Sequence, residues 1–193
     1  MAASDQRWLV AGLGNPDDEY PHTRHNVGAD VVRALASRAN EPLKRVRKAK
    51  GSAAEIDIAG RRLVCYVPDG YMNNSGGPVQ AAVGWYKVSP QHLIVCHDDL
   101  DLDIGVVRCK LGGGNAGHNG LRDVDRALGG ADYFRIRVGI GRPLGPRPVR
   151  SYVLSRFTAE QRPIVDDAVD TACGVVESLI VHGLEPTQNS FHG

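Results

Sequence analysis

A chain of 193 residues is long enough for one sizeable hydrophobic core and short for two. Its hydrophobic and charged fractions, 42% and 23%, are typical of a globular protein rather than a disordered one. No apolar run approaches the roughly 20 residues of a membrane-spanning helix, and the N-terminal MAASDQRW lacks the apolar centre of a signal peptide. The cysteines lie in apolar runs without metal-type spacing, so we expect buried free thiols. We predict one cytoplasmic domain over residues 1–193, without membrane association.

The net charge is only +1, but the charges are unevenly distributed along the chain. Residues 105–156 carry ten Lys and Arg against three acidic residues, whereas residues 157–193 carry one basic residue against six acidic ones. A second basic run, KRVRKAK, covers residues 44–50. This asymmetry indicates either a face for a polyanion or an ordinary solvated surface, and charge alone leaves both interpretations open.

The hydrophobic pattern of the first half predicts alternating strands and helices. RWLVAGLG indicates a buried strand that ends in a glycine turn, and Asn26 is expected to cap a helix that runs to about residue 39. Residues 52–58 and 61–67 are expected to form a hairpin. A helix over residues 75–86 should follow, with one apolar face.

The second half continues this alternation. HLIVCH and VVRCKL indicate short strands, and a glycine-rich loop leads to a helix over about residues 117–128. In YFRIRVGIG, apolar residues alternate with arginines, which predicts a strand with one apolar and one cationic face. After the proline-rich RPLGPRP, Thr158 and Gln161 form a capping box for a long helix that Gly183 ends.

This order of elements predicts a single α/β domain, in which a twisted, mixed but largely parallel β-sheet is flanked by α-helices. Polar segments follow predicted strands or open predicted helices at four places. In an open α/β sheet such segments gather at one edge and line a crevice. We therefore expect one shared site, formed by GLGNP with YPHTRHN (12–16 and 20–26), YMNNSG (71–76), HDDLD (97–101) and GGGNAGHNG (112–120).

Two kinds of ligand fit these segments poorly. Gly12-x-Gly14 after a strand resembles a dinucleotide-binding loop, but Asp17 occupies the position of its third glycine. HDDLDLD offers carboxylates and a histidine that suit Mg²⁺ or Mn²⁺, yet alternation along an extended chain would spread these groups over two faces. We predict no cofactor and no metal.

A histidine–carboxylate pair remains as the expected reactive centre. The chain has no G-x-S-x-G motif, and Ser75 is expected to cap a helix rather than attack a substrate. A histidine takes a proton from water near neutral pH, and an aspartate fixes its tautomer, which suits hydrolysis of an activated bond such as an ester. His25 stands out through its polar neighbours. We expect the following histidines to be merely solvated: His22, His92, His182 and His192.

Six motifs, each modest alone, occur together in a fitting order and spacing. They are GLGNP, Y-x-x-TRHN-x-G, YMN-x-SG, HDDLDL, R-x-K-x-GGG-x-x-GHNGL and R-x-R-x-GIGRP. On these motifs the chain resembles the bacterial peptidyl-tRNA hydrolases over nearly its whole length. The resemblance implies a metal-independent enzyme that hydrolyses the ester between an N-blocked peptide and tRNA, and so releases tRNA for reuse in translation.

The resemblance also implies roles for individual residues. His25 would be the base that activates water, and Asp98 would orient it. Asn15 would contact the peptide near the scissile ester. Asn73 and Asn119 would hold the 3′ end of the substrate and position the water or the oxyanion, because amides offer donors and acceptors without a competing charge.

Other side chains are expected to contact the tRNA. Tyr20 and Tyr71 would line the crevice and contact the tRNA end. Lys110 and Arg137 would grip acceptor-stem phosphates, a contact that need not read sequence. The expected partner is peptidyl-tRNA, bound by its acceptor stem and 3′ end, to a monomer without an obligate protein partner. Three arginines are left out of the site as solvated: Arg122, Arg126 and Arg150.

Four positions depart from the family pattern: Asp17, Gly70, Asn74 and Ala116. Asp17 stands where glycine is common, and Ala116 replaces a glycine before GHN, which bears on substrate affinity more than on chemistry.

Two other functions stay open at this point. One is a noncatalytic RNA-binding protein on the same scaffold, against which the intact His25 and Asp98 argue. The other is a metal-dependent phosphoesterase that uses HDDLD.

Overall fold

Seven β-strands form one sheet in the computed structural model, which describes residues 6–192. In chain order the strands are β1 (Trp8–Gly12), β2 (Lys44–Val46), β3 (Gly51–Ile58), β4 (Arg61–Pro68), β5 (Leu93–Asp99), β6 (Val107–Leu111) and β7 (Phe134–Gly139). Across the sheet they are ordered β2-β3-β4-β1-β5-β7-β6. The predicted hairpin is confirmed as the antiparallel pair β3 and β4.

The centre of the sheet is parallel and its margins are antiparallel. Strands β4, β1, β5 and β7 run in one direction, and Val10 of β1 lies opposite Cys65 of β4 and Ile94 of β5. Strands β2, β3 and β6 each pair antiparallel with a neighbour. Strand β5 is buried along its whole length, as is usual for a parallel strand with helices on both sides. The predicted mixed, largely parallel sheet is confirmed.

Within residues 6–192, six α-helices accompany this sheet. They are α1 (Val27–Arg38), α2 (Gly76–Tyr86), α3 (Asn119–Leu128), α4 (Val149–Val153), α5 (Gln161–His182) and α6 (Leu184–Phe191). Helices α1 and α5 pack over one face of the sheet, whereas α2 and α3 pack over the other. All four cysteines are buried free thiols, as predicted. Among the described residues, no helix combines the length and the hydrophobicity that a bilayer crossing needs.

Three short elements are not predicted by the hydrophobic pattern: β2, α4 and α6. Strand β2 is basic and largely exposed, and it joins the sheet through backbone pairing with β3, which apolar periodicity does not report. Helix α4 begins directly after the proline-rich loop. Helix α6 begins directly after Gly183, which ends α5 as predicted and has a positive φ of 84°.

The predicted helix caps are confirmed only in part. Thr158 and Gln161 exchange the two hydrogen bonds of a capping box, at 3.1 and 3.3 Å, ahead of α5. Ser75 occupies the N-cap position of α2 as predicted, but its hydroxyl donates to a backbone carbonyl three residues earlier and does not accept from an amide of α2. The Gly76 N–H at the start of α2 donates instead to Asp123 of α3, at 2.7 Å.

Helix α6 lies against the edge strand β6 and hydrogen-bonds to it. Gln188 donates to the carbonyl oxygen of Cys109 at 3.0 Å, and the Cys109 N–H donates to Nε2 of His192 at 2.9 Å. His192 therefore acts as an acceptor for a strand amide, and the expectation that it is merely solvated is wrong.

The remaining three histidines that we expected to be solvated divide into two groups. His22 and His182 are exposed, as predicted. His92 is half-buried, because its ring packs edge-on against Trp8 at a centroid distance of 4.6 Å and bonds to the Ser89 hydroxyl.

Candidate active site

The carboxyl ends of the parallel strands open into a cavity of about 420 Å³. Each of the four polar segments contributes to its wall, so they share one crevice as expected. The contributing residues include Asn15 and His25, Tyr71 and Asn73, Asp98, and His118 and Asn119. Val149, Val153 and Leu154, in and beside α4, add an apolar section to the wall.

His25 and Asp98 form a hydrogen-bonded pair in this cavity. His25 lies in a short 3-10 helix just before α1, and Asp98 lies near the end of β5. Nδ1 of His25 is 2.9 and 3.0 Å from the two carboxylate oxygens of Asp98. Because a carboxylate only accepts, Nδ1 carries the ring proton, and Nε2 is left as the nitrogen that can take a proton.

Burial and mutual contact set the pKa values of this pair. Burial lowers the pKa of His25, but the charge of Asp98 and its hydrogen bond raise it more, so that the pKa lies above the ordinary 6.5. Burial raises the pKa of Asp98, yet the contacts with His25 and His118 outweigh burial and hold the pKa well below its usual range. Asp98 therefore stays ionised and keeps the His25 imidazole in one tautomer.

His118 completes the cluster, and sequence reasoning missed it. Its Nε2 donates to Oδ1 of Asp98 at 2.8 Å, and its Nδ1 accepts the N–H of Leu121 in the first turn of α3 at 3.2 Å. These two contacts fix the tautomer of the ring. The available signal was a histidine directly before Asn119 in the GHN motif, close to the start of a predicted helix; in the structure it is the N-cap of α3.

The acidic run HDDLDLD does not converge on one point. Asp99 accepts from Arg137 at 2.8 Å, and Asp101 pairs with Arg142. Burial, with the nearby His118, lowers the pKa of His97 to about 3. Asp99 and Asp101 are therefore each engaged by an arginine, whereas Asp98 faces His25 and His118.

A different trio offers metal-type donors. Among residues 6–192, only His25, Asp98 and His118 bring three such atoms within 4.8 Å of one another. A metal on Nε2 of His118 would require the ring proton on Nδ1, at which the Leu121 N–H already points. The trio therefore fits a chain of hydrogen bonds better than a metal ion.

Asn26 lies at the N-cap position of α1 as predicted, but its side chain makes no capping bond to α1 and instead holds the loop that carries Asn15. Oδ1 of Asn26 accepts the Asn15 N–H at 2.7 Å, and Nδ2 donates to the carbonyls of Asn15 and Tyr20 at 3.1 and 3.0 Å. Oδ1 of Asn15 in turn accepts the Met72 N–H at 2.9 Å. Since Oδ1 is engaged, the Asn15 side chain offers Nδ2 as a donor to a ligand in the cavity.

The other predicted residues of the crevice also line the cavity: Tyr20, Tyr71, Asn73 and Asn119. Asn73 and Asn119 are exposed, so their amides are accessible to a ligand. The Tyr71 hydroxyl donates to Glu19 at 2.6 Å, which ties this ring to the loop that follows β1.

Lys110 and Arg137 lie on neighbouring strands and outside the cavity wall. Arg137 is already paired with Asp99. Arg135, which faces Lys110 across the β6–β7 ladder, is fully buried and pairs with Asp125 at 3.1 Å. The predicted cationic face of β7 is therefore largely neutralised, which corrects that expectation. Burial and the nearby arginines lower the pKa of Lys110.

The arginines that the sequence analysis left out lie close to the site. Arg150 is exposed, as expected of a solvated residue, and it also lines the main cavity. Arg122 and Arg126 line a second hollow of about 330 Å³, which shares Asn73 and Asn119 with the main cavity.

Two of the departures from the family pattern have a structural account. Asp17 does not face an open site, because it pairs with Arg33 at 2.6 Å and accepts from Asn26 at 3.2 Å. Ala116 has a φ of +48°, in the left-handed region that glycine adopts at no steric cost. Ala116 therefore strains the loop before His118.

Known proteins resemble this chain over its whole length. The family model described as peptidyl-tRNA hydrolase matches residues 9–193. The peptidyl-tRNA hydrolase of Frankia alni is 48% identical over 192 residues, which cover 100% of this chain and 97% of the relative. The peptidyl-tRNA hydrolase of Streptomyces coelicolor is 47% identical over 190 residues, which cover 96% of this chain and 94% of the relative.

A solved structure extends this similarity to the fold. The crystal structure of peptidyl-tRNA hydrolase from Acinetobacter baumannii matches with a TM-score of 0.90 and 35% identity, over 99% of this chain and 96% of the other. The matched stretch, residues 9–193, includes every residue that lines the His25–Asp98 cavity. The chain belongs to the peptidyl-tRNA hydrolase family.

Proposed function

We propose that this chain hydrolyses the ester bond between peptide and tRNA in peptidyl-tRNA, and so frees tRNA for reuse in translation. The observation that carries the proposal is the His25–Asp98 pair, with the unprotonated Nε2 of His25 available in the cavity. Nε2 takes a proton from a water molecule, whose oxygen attacks the ester carbonyl. Asp98 stabilises the imidazolium that forms, and His118 keeps Asp98 in place by donating to it.

The tetrahedral intermediate then collapses towards products. The carbonyl re-forms as the ribose oxygen of the tRNA leaves, and this oxygen takes the proton from His25, which restores the base. Asn73 and Asn119 place uncharged donors near the negative oxygen of the intermediate. The Nδ2 of Asn15 donates to a carbonyl of the peptide, which favours N-blocked substrates over free aminoacyl-tRNA.

The tRNA binds along the cavity and the adjoining strands. Tyr20 and Tyr71 contact its 3′ end, where a terminal base stacks on an aromatic ring. Lys110 binds acceptor-stem phosphates, and Arg137 joins it by sharing its guanidinium between a phosphate and Asp99. The acting unit is one domain of residues 1–193, which works as a monomer in the cytoplasm without cofactor, metal or obligate protein partner.

The purified chain is expected to release the acyl group from N-acetylated aminoacyl-tRNA, to act far more slowly on unblocked aminoacyl-tRNA, and to keep full activity after exhaustive chelation with EDTA. Turnover of acid-precipitable labelled substrate measures all three. Tight binding of acylated tRNA without turnover would favour the noncatalytic RNA-binding role. Loss of activity on chelation, restored by added metal, would favour a metal-dependent esterase.

Replacement of Lys110 with alanine is expected to raise KM for acylated tRNA about threefold to tenfold at physiological salt and to leave kcat unchanged. The slope of log binding constant against log salt should fall by about one, because one phosphate contact is lost. Lys87, an exposed lysine at the end of α2, provides the matched control. Equal salt slopes for the Lys110→Ala and Lys87→Ala variants would remove Lys110 from the tRNA contact.

A further inference from the structure

Arg24, directly before His25, is a buried arginine that binds backbone and aromatic groups. Only 3% of the surface of Arg24 is exposed to solvent. Nη1 donates to the carbonyl oxygens of Ser155 and Arg156 at 3.2 and 2.6 Å, and also to the Ser155 hydroxyl at 2.6 Å. Nη2 donates to Oε1 of Gln161 at 2.9 Å. The planar guanidinium therefore spans several acceptors at once, which a lysine ammonium cannot reproduce.

Aromatic rings hold the same guanidinium from its faces. The Arg24 guanidinium carbon lies 4.3 Å from the ring centroid of Tyr152 and 5.0 Å from that of Phe157. The Tyr152 hydroxyl is itself anchored, since it donates to the Ile140 carbonyl at 2.6 Å. Stacking and hydrogen bonding together leave this side chain little freedom.

The backbone around Arg24 is joined to the same segment. The Arg24 N–H donates to the Ser155 carbonyl at 3.0 Å, and Thr23 forms an isolated antiparallel bridge with Arg156. The short helix that carries His25 is therefore fixed to the chain between α4 and α5 by backbone as well as by side chain. That segment continues directly from Val153 and Leu154, which line the cavity.

We propose that Arg24 is a positioning residue, which couples the apolar wall at α4 to the location of His25, so that an acyl chain packed on this wall is met by a correctly placed base. This inference rests on the proposed function. It assigns to Arg24 an effect on turnover rather than on tRNA binding, because no contact of Arg24 reaches the Lys110 side of the molecule among the described residues.

The variant Arg24→Lys tests the inference, since it keeps the charge and removes the planar fork. We expect kcat with N-acetylated aminoacyl-tRNA to fall about tenfold to a hundredfold, because small errors in the placement of reacting groups have costs of that size. KM should change less than about twofold, because the residues that contact the tRNA are not altered in this variant. NMR titration of the His25 ring without substrate should show a lower pKa, since displacement from Asp98 weakens the contact that raises it.

Arg61 offers the matched control. It also ties a strand to α5, by donating to the Ile180 carbonyl at 2.7 Å, but it is not part of the cavity wall. Arg61→Lys should lower the melting temperature while leaving kcat and the His25 titration at their wild-type values. A merely structural role for Arg24 predicts the same result for Arg24→Lys, and that result would overturn the inference.

Should Arg24→Lys fail to fold, Gln161→Leu removes the one oxygen that accepts from both Arg24 and the Thr158 N–H of the capping box. It should give a smaller fall in kcat at unchanged KM, with a shifted His25 titration, and a wild-type result in both measurements would overturn the inference. Absence of turnover in the wild-type protein would instead contradict the proposed function. The His25 titration needs no substrate, so it still decides the role of Arg24.

Discussion

The variant His25→Ala should lose kcat for N-acylated aminoacyl-tRNA by about 10³-fold or more, because general-base catalysis contributes roughly 10²–10⁴. Affinity for tRNA should persist, since the proposed phosphate and base contacts involve other residues. Single-turnover hydrolysis and equilibrium binding of the same labelled substrate separate the two effects.

His22 gives the matched control for this variant. It lies three positions earlier, is exposed, and carries the same ring chemistry without a carboxylate partner among the described residues. His22→Ala should keep wild-type turnover. Hydrolysis at the wild-type rate by folded His25→Ala would eliminate His25 as the base and would return the site to the noncatalytic interpretation.

The variant Asp98→Asn should lower kcat by about 10³–10⁴-fold, because the imidazole loses both its enforced tautomer and the charge that stabilises its protonated form. It should also move the acid limb of the pH profile in a defined direction. In the wild-type protein the pKa of His25 lies above 6.5, so activity falls as pH drops through a value higher than that of an ordinary histidine. Without the carboxylate, burial alone remains and lowers the pKa, so the residual activity should persist to lower pH.

Asp103 serves as the control for the charge change. It lies in the same acidic run, is exposed, and is absent from the cavity wall. Asp103→Asn should keep both the rate and the acid limb of the wild type, measured as kcat/KM across pH with chemistry rate-limiting. An acid limb that stays in place in Asp98→Asn would show that Asp98 does not control the proton on His25.

The sequence was sufficient for those features that depend on local pattern. Buried runs such as RWLVAG and HLIVCH are long enough to indicate strands, and the reciprocal chemistry of Thr158 and Gln161 is a local signature of a helix start. The meeting of Asn15, His25 and Asp98 follows from a general property of parallel sheets, whose carboxyl ends share one edge.

Features that depend on distant partners could not be predicted in this way. Asn26 has the composition of a helix cap, but the loop carrying Asn15 competes successfully for its amide. His118 reaches Asp98 only because α3 starts at the same end of the sheet. The alternating arginines of β7 indicate a cationic face. The acids that neutralise this face, Asp99 and Asp125, lie in other elements, so the pattern within β7 does not report them.

The contacts of helix α6 bear on how copies of this chain behave towards one another. A strand at the margin of a sheet usually presents unpaired amides that recruit a foreign strand, and such recruitment starts aggregation. At Cys109 of β6 these backbone groups are already satisfied within the chain, because Gln188 donates to the carbonyl and His192 accepts from the N–H. At the opposite margin, β2 is only three residues long and exposes Lys44 and Arg45, and short, charged edge strands disfavour growth of a sheet by strand addition.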